Sequence, residues 1–201
     1  MLFSDEYTEP AGTGESTLRE RESRFLGYAF PVHTEAEMKQ YLQQIKQKFP
    51  DATHYCYAVV MHPDQSYQLS TADGEPSNTA GRTILRAILS AGLTNVLLIV
   101  VRYYGGTQLG IPGLTKAYGE TAQAALQVAG KVVRFVEDGL LLSADFEHEQ
   151  DIYRITEKFS GRIGNRKYEN NVKIAVSIRR SEVAKFKNML ADFPRISLAK
   201  G

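Results

Sequence analysis

The chain has 201 residues, of which 43% are hydrophobic and 23% are charged, as is typical of a folded protein with an apolar core. The net charge is +1, and the presence of one cysteine, Cys56, excludes an internal disulfide. The first residues lack the basic and apolar segments of a signal peptide, and no apolar run reaches transmembrane length. We therefore expect a cytoplasmic protein with no membrane partner.

Charge is distributed unevenly along the chain. Residues 1–130 hold 10 Lys+Arg and 13 Asp+Glu, a net charge of −3, whereas residues 131–201 hold 14 and 10, a net charge of +4. A basic C-terminal part favours an anionic partner.

Periodicity, caps and glycine stops predict the elements of a first domain over residues 1–137. Residues 1–16 are expected to form a flexible or loosely docked lead. The order β-α-β-β-α-β-α-β then indicates an α+β domain with helices packed on a sheet. The predicted strands cover 23–32, 54–61, 66–70, 95–103 and 131–137, and the predicted helices cover 34–49, 79–91 and about 113–129.

The dipeptide Asp138-Gly139 predicts a turn, and we place the domain boundary there. The order of elements then restarts as β-α-β-β-α-β, the ferredoxin-like split unit, over residues 138–201. The predicted strands cover 140–146, 162–168, 172–179 and 195–198, and the predicted helices cover 148–160 and 181–192.

Two glycine-rich segments, residues 73–82 and 101–114, each lead into a predicted helix. Backbone N–H groups at a helix start are unpaired and carry partial positive charge, so they suit anions. Arg82 lies just inside the first helix, and Arg102 just ahead of the second loop. The pairing of two such starts predicts a shared anion-binding surface.

Structural alternatives apply to the same residues. The glycines could serve only as tight turns, since glycine adopts positive φ without steric cost. Asp73 and Glu75 could be paired carboxylates, but we favour turn geometry for Asp73 and pairing with Arg82 or Arg102 for Glu75. Tyrosines near the second loop could stack on bases or fill the edge of the core.

Catalytic and metal-binding patterns are absent from the sequence. The second loop lacks the Gly-Lys-Ser/Thr of a Walker loop and the spacing of a dinucleotide fingerprint, and no Gly-x-Ser-x-Gly elbow occurs. The four histidines show no metal-ligand spacing, and Cys56 lies in an apolar strand that indicates a buried structural thiol. We predict no catalytic residue, metal or cofactor.

The predicted strand 172–179 alternates in character. Its even-numbered residues are apolar, while Lys173, Ser177 and Arg179 share the other face. This face is either a solvated open sheet surface or a platform for nucleic acid. It offers no aromatic side chain for stacking, so any contact should be to the phosphate backbone.

The two glycine-rich segments resemble the motifs of the IMPACT family, and of its bacterial YigZ-like branch in particular. The residues that carry the resemblance are Asp73 to Ser77, Thr79 to Arg82 and Val101 to Gly106. In the family the position of Asn78 is more often glycine, and a more usual Ile/Val-Lys stands where this chain has Thr107-Gln108.

The resemblance implies a fold and a cellular role. It implies a first domain similar to the left-handed βαβ fold of ribosomal proteins and translation factors, which the sugar and mevalonate kinase group shares. It implies a second domain similar to the last domain of elongation factor G. The eukaryotic relatives act in translational control through protein contacts.

Together these observations favour a non-enzymatic RNA- or ribosome-associated protein with a role in translation regulation, which binds phosphates at the two helix starts. The alternatives are an enzyme acting on a phosphorylated small molecule and a protein-interaction module in translational stress control. The candidate binding residues are Asp73, Glu75, Ser77, Thr79, Gly81, Arg82, Arg102, Tyr104, Gly105, Gly106, Lys116, Lys173 and Arg179.

Overall fold

A computed structural model describes residues 5–199. The chain divides into two compact units, here called the first unit (residues 7–134) and the second unit (residues 135–199 together with Asp5 and Glu6). The division lies close to the predicted boundary, and the independence of residues 138–201 as a domain stays a prediction.

The first unit is built on a five-stranded antiparallel sheet with the strand order β2-β3-β6-β4-β5, and β1 and β7 form a separate two-stranded sheet. The strands are β1 (Glu6–Pro10), β2 (Gly14–Glu20), β3 (Ser23–Pro31), β4 (His54–Met61), β5 (Tyr67–Thr71), β6 (Val96–Tyr103) and β7 (Lys131–Phe135). The helices are α1 (Glu35–Lys48), α2 (Gly81–Ser90) and α3 (Gly110–Ala129).

The expectation of a flexible lead is wrong for the part of it that the structure describes. Residues 6–10 form β1, and β2 begins at Gly14 and pairs with β3 along its whole length. A Cβ atom at Gly14 would lie 2.1 Å from the backbone oxygen of Ala125 in α3, so this edge strand packs closely on a helix. The polar sequence of β2 does not indicate a strand, because the structure of β2 depends on its pairing with another strand. Residues 1–4 of the predicted lead lie outside the described residues.

Strand β6 occupies the centre of the sheet and is buried on both faces, as its continuous apolar sequence predicts. On one face, Val100 packs in a core with Ile84 of α2 and Tyr118 of α3. On the other face, Val101 belongs to a second core that includes Met38 of α1. Because β6 is covered on both sides, any charged side chain near its end needs a partner.

The two helices that follow the glycine-rich segments begin at glycines, a few residues from the predicted positions. Helix α2 starts at Gly81 rather than Thr79, because the backbone N–H of Thr79 donates to the Pro76 carbonyl in a preceding turn. Helix α3 starts at Gly110 rather than about residue 113. Its first turn accommodates Pro112, since an N–H in that turn has no partner within the helix.

The second unit has the predicted element order β-α-β-β-α-β, with two short 3-10 turns ahead of its helices. Its four strands form a sheet with the order β11-β8-β10-β9. The elements are β8 (Glu137–Ala144), α4 (Glu149–Lys158), β9 (Arg162–Tyr168), β10 (Val172–Arg179), α5 (Val183–Leu190) and β11 (Ile196–Leu198).

The predicted turn at Asp138-Gly139 is wrong. Both residues lie within β8, opposite Ile178 and Ser177 of β10. A Cβ atom on Gly139 would meet nothing within 4 Å, so the glycine fills an open position in an extended strand. Pairing with a long neighbouring strand overrides the local turn preference of this dipeptide.

The alternation predicted for residues 172–179 is confirmed. Val172, Ile174, Val176 and Ile178 are buried, and they share a core with Ile152 of α4. The helices of this unit therefore lie on that face of its sheet. No helix within residues 5–199 is long and apolar enough to cross a membrane.

Candidate anion-binding site

The two glycine-rich segments meet through one buried ion pair. Arg102, near the end of β6, donates from Nη1 to Oε1 of Glu75 in the first segment, at 2.6 Å. The two side chains are only 6% and 3% exposed. Of the two predicted partners of Glu75, the structure thus shows Arg102. Their ion pair links the two segments directly.

The carboxylate of Glu75 has further polar neighbours. Tyr118 of α3 donates its hydroxyl to Oε1 of Glu75 at 2.7 Å. The sulfur of Cys56 lies 3.3 Å from the same hydroxyl and 3.0 Å from the backbone oxygen of Ala72. Burial raises the pKa of the Cys56 thiol to about 12, so the cysteine is an inert, neutral thiol as its apolar strand predicts. Burial also raises the pKa of Tyr118, which keeps its hydroxyl a donor.

The guanidinium of Arg102 is enclosed by aromatic and hydroxyl groups. Its Nη2 lies 3.3 Å from the hydroxyl of Ser23, and its central carbon lies 5.4 Å from the centre of the Phe25 ring and 5.2 Å from that of Tyr104. Its Nε is buried without a hydrogen-bond partner among the described residues. The charge of Arg102 is therefore directed at Glu75 rather than at solvent.

Asp73 serves the geometry of the first turn. It adopts a positive φ of 45°, and its side chain accepts a hydrogen bond from the backbone N–H of Tyr55 at 2.7 Å. Its carbonyl oxygen lies 2.6 Å from Nδ1 of His54, so that ring nitrogen is the donor. Asn78 also has a positive φ, 66°, which asparagine tolerates better than most residues and which suits the glycine usual at this position.

The glycines of the second segment are required by space and by backbone conformation. A Cβ atom on Gly105 would lie 2.1 Å from the carbonyl carbon of Glu22, a distance too short for any residue other than glycine. Gly106 has a positive φ of 92°. Tyr104 is 44% exposed and donates its hydroxyl to the Gly106 carbonyl at 2.6 Å. The tight-turn explanation therefore accounts for Gly106, whereas Gly105 is required by its close approach to the backbone of Glu22.

The start of α2 is uncapped and carries no acidic side chain in its first turn. Its cap residue, Ala80, makes no side-chain hydrogen bond. Arg82 is exposed and has no ion-pair partner among the described residues. Ser77 is also exposed, whereas Thr79 is buried and donates its hydroxyl to the Pro76 carbonyl. Gly81 packs so tightly that a Cβ atom would lie 2.6 Å from the backbone oxygen of Thr71.

The start of α3 shares these features. Its cap residue, Leu109, makes no side-chain hydrogen bond, and its first turn holds no acidic residue. Lys116 is exposed, and its nearest acidic partner is Glu120 at 4.0 Å. A Cβ atom on Gly119 of α3 would lie 3.4 Å from Cγ2 of Thr83 in α2, so the first turn of α2 packs against the middle of α3.

The two candidate residues of the second unit are both ion-paired. Lys173 lies 3.0 Å from Glu169, and Arg179 donates from two nitrogens to Asp5. Hydrogen bonds from Arg179 and Ser181 hold the pKa of Asp5 well below its usual range, so the pair is charged at neutral pH. The basic face predicted here is largely neutralised by acidic neighbours.

Sequence reasoning did not include three residues that complete these clusters: Ser23, His54 and Asp5. Ser23 is 1% exposed and touches both Arg102 and the backbone N–H of Gly105. No local pattern identifies such residues, because their partners lie far away in the sequence. Within residues 5–199, His, Cys, Asp and Glu side chains form no group of three suited to a metal ion.

Comparisons with known proteins place this α+β architecture in a family. The Impact N-terminal domain family matches residues 21–126, which span both glycine-rich segments. The chain is 34% identical over 182 residues to the IMPACT family member YigZ of Escherichia coli K12, covering 89% of this chain and 88% of that protein. It is 30% identical over 192 residues to the IMPACT family member YvyE of Bacillus subtilis 168, covering 96% and 88%.

A solved crystal structure of a hypothetical protein shares the fold of the whole chain. It is 29% identical, with a TM-score of 0.72, and the match covers 99% of this chain and 98% of that one. The chain belongs to the IMPACT family, and the YigZ-like resemblance of its two glycine-rich segments is confirmed.

Proposed function

We propose that this protein is a non-enzymatic, RNA- or ribosome-associated regulator of translation that binds phosphates at the starts of α2 and α3. The observation that carries the proposal is the pair of helix starts. Both lack a side-chain cap and an acidic residue in the first turn, and the helices pack side by side. Such helix starts attract anions through their free N–H groups and the helix dipole.

The cations available for phosphate are Arg82 and Lys116. Both are exposed; Arg82 has no ion-pair partner among the described residues, and the partner of Lys116 is Glu120 at 4.0 Å. Arg102 contributes in another way: it is neutralised by Glu75 and fixes the two segments against each other. A rigid support of this kind positions loops without adding a phosphate contact of its own.

The role in translation is supported by family membership and by the fold expectations. The family resemblance predicts that the first unit is similar to ribosomal-protein and translation-factor domains. It also predicts that the second unit is similar to the last domain of elongation factor G. An association with RNA phosphates is consistent with both expected folds.

The experiment is a salt titration of binding to a fluorescent single-stranded oligouridylate, between about 50 and 200 mM salt. Each phosphate contact adds roughly 0.7 to the slope of log K against log salt on single strands. We expect Arg82→Ala with Lys116→Ala to make the slope shallower by about 1.4. The matched control is Lys39→Ala with Lys46→Ala, which removes two charges from α1 on the other face of the sheet.

Two results would contradict the proposal. An unchanged slope in the Arg82/Lys116 variant would show that the helix starts do not contact phosphate. Co-sedimentation with ribosomes that is equal at both ends of the salt range would favour the protein-interaction alternative, because binding through phosphate contacts weakens steeply as salt rises.

A further inference from the structure

Two aromatic rings of the second unit are more exposed than expected for their size. Phe146 is 52% and Tyr168 is 57% exposed. The rings stack on each other, with their centres 6.4 Å apart and an angle of 22° between their planes. They are held in place rather than free, because the Tyr168 hydroxyl donates to Glu149 at 2.9 Å. We call this pair the aromatic patch.

The charges around the aromatic patch are negative. Asp145 and Glu147 flank Phe146, both are exposed, and neither has an ion-pair partner among the described residues. Glu149 is contacted by the hydroxyls of Tyr153 and Tyr168. An exposed aromatic surface bordered by carboxylates repels phosphate and attracts cations.

The basic residues of β9 do not reverse this charge. Lys167 lies opposite Lys173, on the face of the sheet away from Tyr168, which lies opposite the buried Val172. Arg166 is on the same side as Tyr168 and keeps its positive charge, because the Tyr153 hydroxyl to which it donates at 2.9 Å is neutral. It offsets one of the three carboxylates of Asp145, Glu147 and Glu149, so the surroundings of the patch stay negative.

Arg166 also shows which ligand the cluster suits. Its guanidinium lies 5.9 Å from the centre of the Tyr153 ring while bonding the hydroxyl, so one aromatic ring of the cluster already holds an arginine. Arg166 is also hydrogen-bonded to Tyr168, but among the described residues no cation lies over the ring of Phe146 or Tyr168. We propose that the aromatic patch binds a peptide segment rich in arginine or lysine, through cation–π contacts to Phe146 and Tyr168 and ion pairs with Asp145 and Glu147.

This peptide site is separate from the phosphate site of the first unit and does not depend on it. The two proposed sites bind ligands of opposite charge, so a failure of peptide binding can be distinguished from a failure of phosphate binding. The probe is a labelled oligo-arginine peptide, with an oligo-glutamate peptide of the same length as the control ligand.

The decisive variant is Phe146→Leu, which keeps an apolar side chain and removes the aromatic face. We expect it to weaken oligo-arginine binding by about two- to fivefold, the range for a cation–π contact at an exposed site. The isosteric variant Asp145→Asn with Glu147→Gln should weaken it as well, and the loss should diminish at high salt. Phe135→Leu, at an exposed phenylalanine whose ring Arg179 already covers, is the matched control and should leave peptide binding unchanged.

A second measurement uses fluorescence at the patch itself. The chain has no tryptophan, so Phe146→Trp introduces a single fluorescent reporter at the patch. Its emission should change on adding the oligo-arginine peptide, and binding should tighten because tryptophan is the best aromatic partner of a cation. Equal peptide affinity in Phe146→Leu and the wild type would overturn the proposal. So would an oligouridylate affinity that falls in Phe146→Leu, since the patch would then bind nucleic acid.

Discussion

The central strands of the two units carry a similar feature in different surroundings. Near the end of β6, Arg102 pairs with Glu75, 27 residues away in the sequence, and at the end of β10, Arg179 pairs with Asp5, 174 residues away. Each guanidinium also lies near an aromatic ring. The strands differ in burial, because β6 is covered on both faces and β10 on one.

That difference changes what each ion pair does. Arg102 is 6% exposed and leaves its Nε without a partner, whereas Arg179 is 38% exposed and directs both Nε and Nη2 at Asp5. A buried charge depends wholly on its partner, while a half-exposed charge also has water. The same residue type at the end of a strand is thus a structural requirement in one unit and a moderate stabiliser in the other.

The largest effect should follow from breaking the buried pair. Arg102→Met leaves the Glu75 carboxylate buried without its cation, and we expect a loss of about 3–5 kcal/mol in the free energy of unfolding. Urea denaturation measures it, with Arg82→Ala as the control because Arg82 is exposed and should change stability by less than about 0.5 kcal/mol. A similar small loss in both variants would contradict the distinction between a buried and an exposed arginine.

The corresponding change in the second unit should cost less. Asp5→Asn removes a charged acceptor of several hydrogen bonds, and we expect a loss of about 1.5–3 kcal/mol at neutral pH. Asp138→Asn, which disrupts an exposed pair with Arg180, should cost at most about 1 kcal/mol.

The Asp5 effect should depend on pH in a defined direction. Because the pKa of Asp5 is lowered in the folded protein, its contribution is complete above the ordinary aspartate pKa of about 3.9 and is lost as pH falls from there through the folded-state value. The difference between wild type and Asp5→Asn should therefore be constant from neutral pH to about pH 5 and shrink below about pH 4. A difference that grows on acidification would show that the carboxylate is not stabilised by Arg179.

A smaller loss is expected where the loop after β6 packs on the start of β3. Gly105→Ala forces a methyl group onto the backbone of Glu22, and overpacking of this kind costs about 1–3 kcal/mol. Gly12→Ala is the matched control, since a Cβ atom there meets nothing within 4 Å and the residue has no positive φ. Equal unfolding midpoints for the two variants would show that the loop adjusts without strain.

Sequence patterns predicted the elements whose burial is decided locally. The unbroken apolar run of β6 and the alternation of β10 report directly how many faces each strand buries, and both predictions are confirmed. The strand β2 was missed, because its structure comes from pairing with β3 and packing on α3, which a local pattern does not contain. The prediction of a turn at Asp138-Gly139 is wrong for the same reason, because both residues pair with β10.

The candidate site was only partly predictable. The glycine-rich segments indicated two helix starts, and the structure has both. Their sequence allowed Glu75 to pair with either Arg82 or Arg102, and only three-dimensional packing separates the buried cation from the exposed one. The acidic partners of Lys173 and Arg179 include Asp5, which no spacing rule connects to residue 179.

The central claim is that Arg102 supports the site while Arg82 contacts phosphate. Comparing the salt dependence of oligouridylate binding in two variants tests it most directly. Arg102→Met with Glu75→Gln removes both charges of the buried pair without changing the net charge, and Arg82→Ala removes one exposed cation. We predict an unchanged slope of log K against log salt for the first, and a slope shallower by roughly 0.7 for the second. A shallower slope in the Arg102/Glu75 variant, with the Arg82 variant unchanged, would contradict the account.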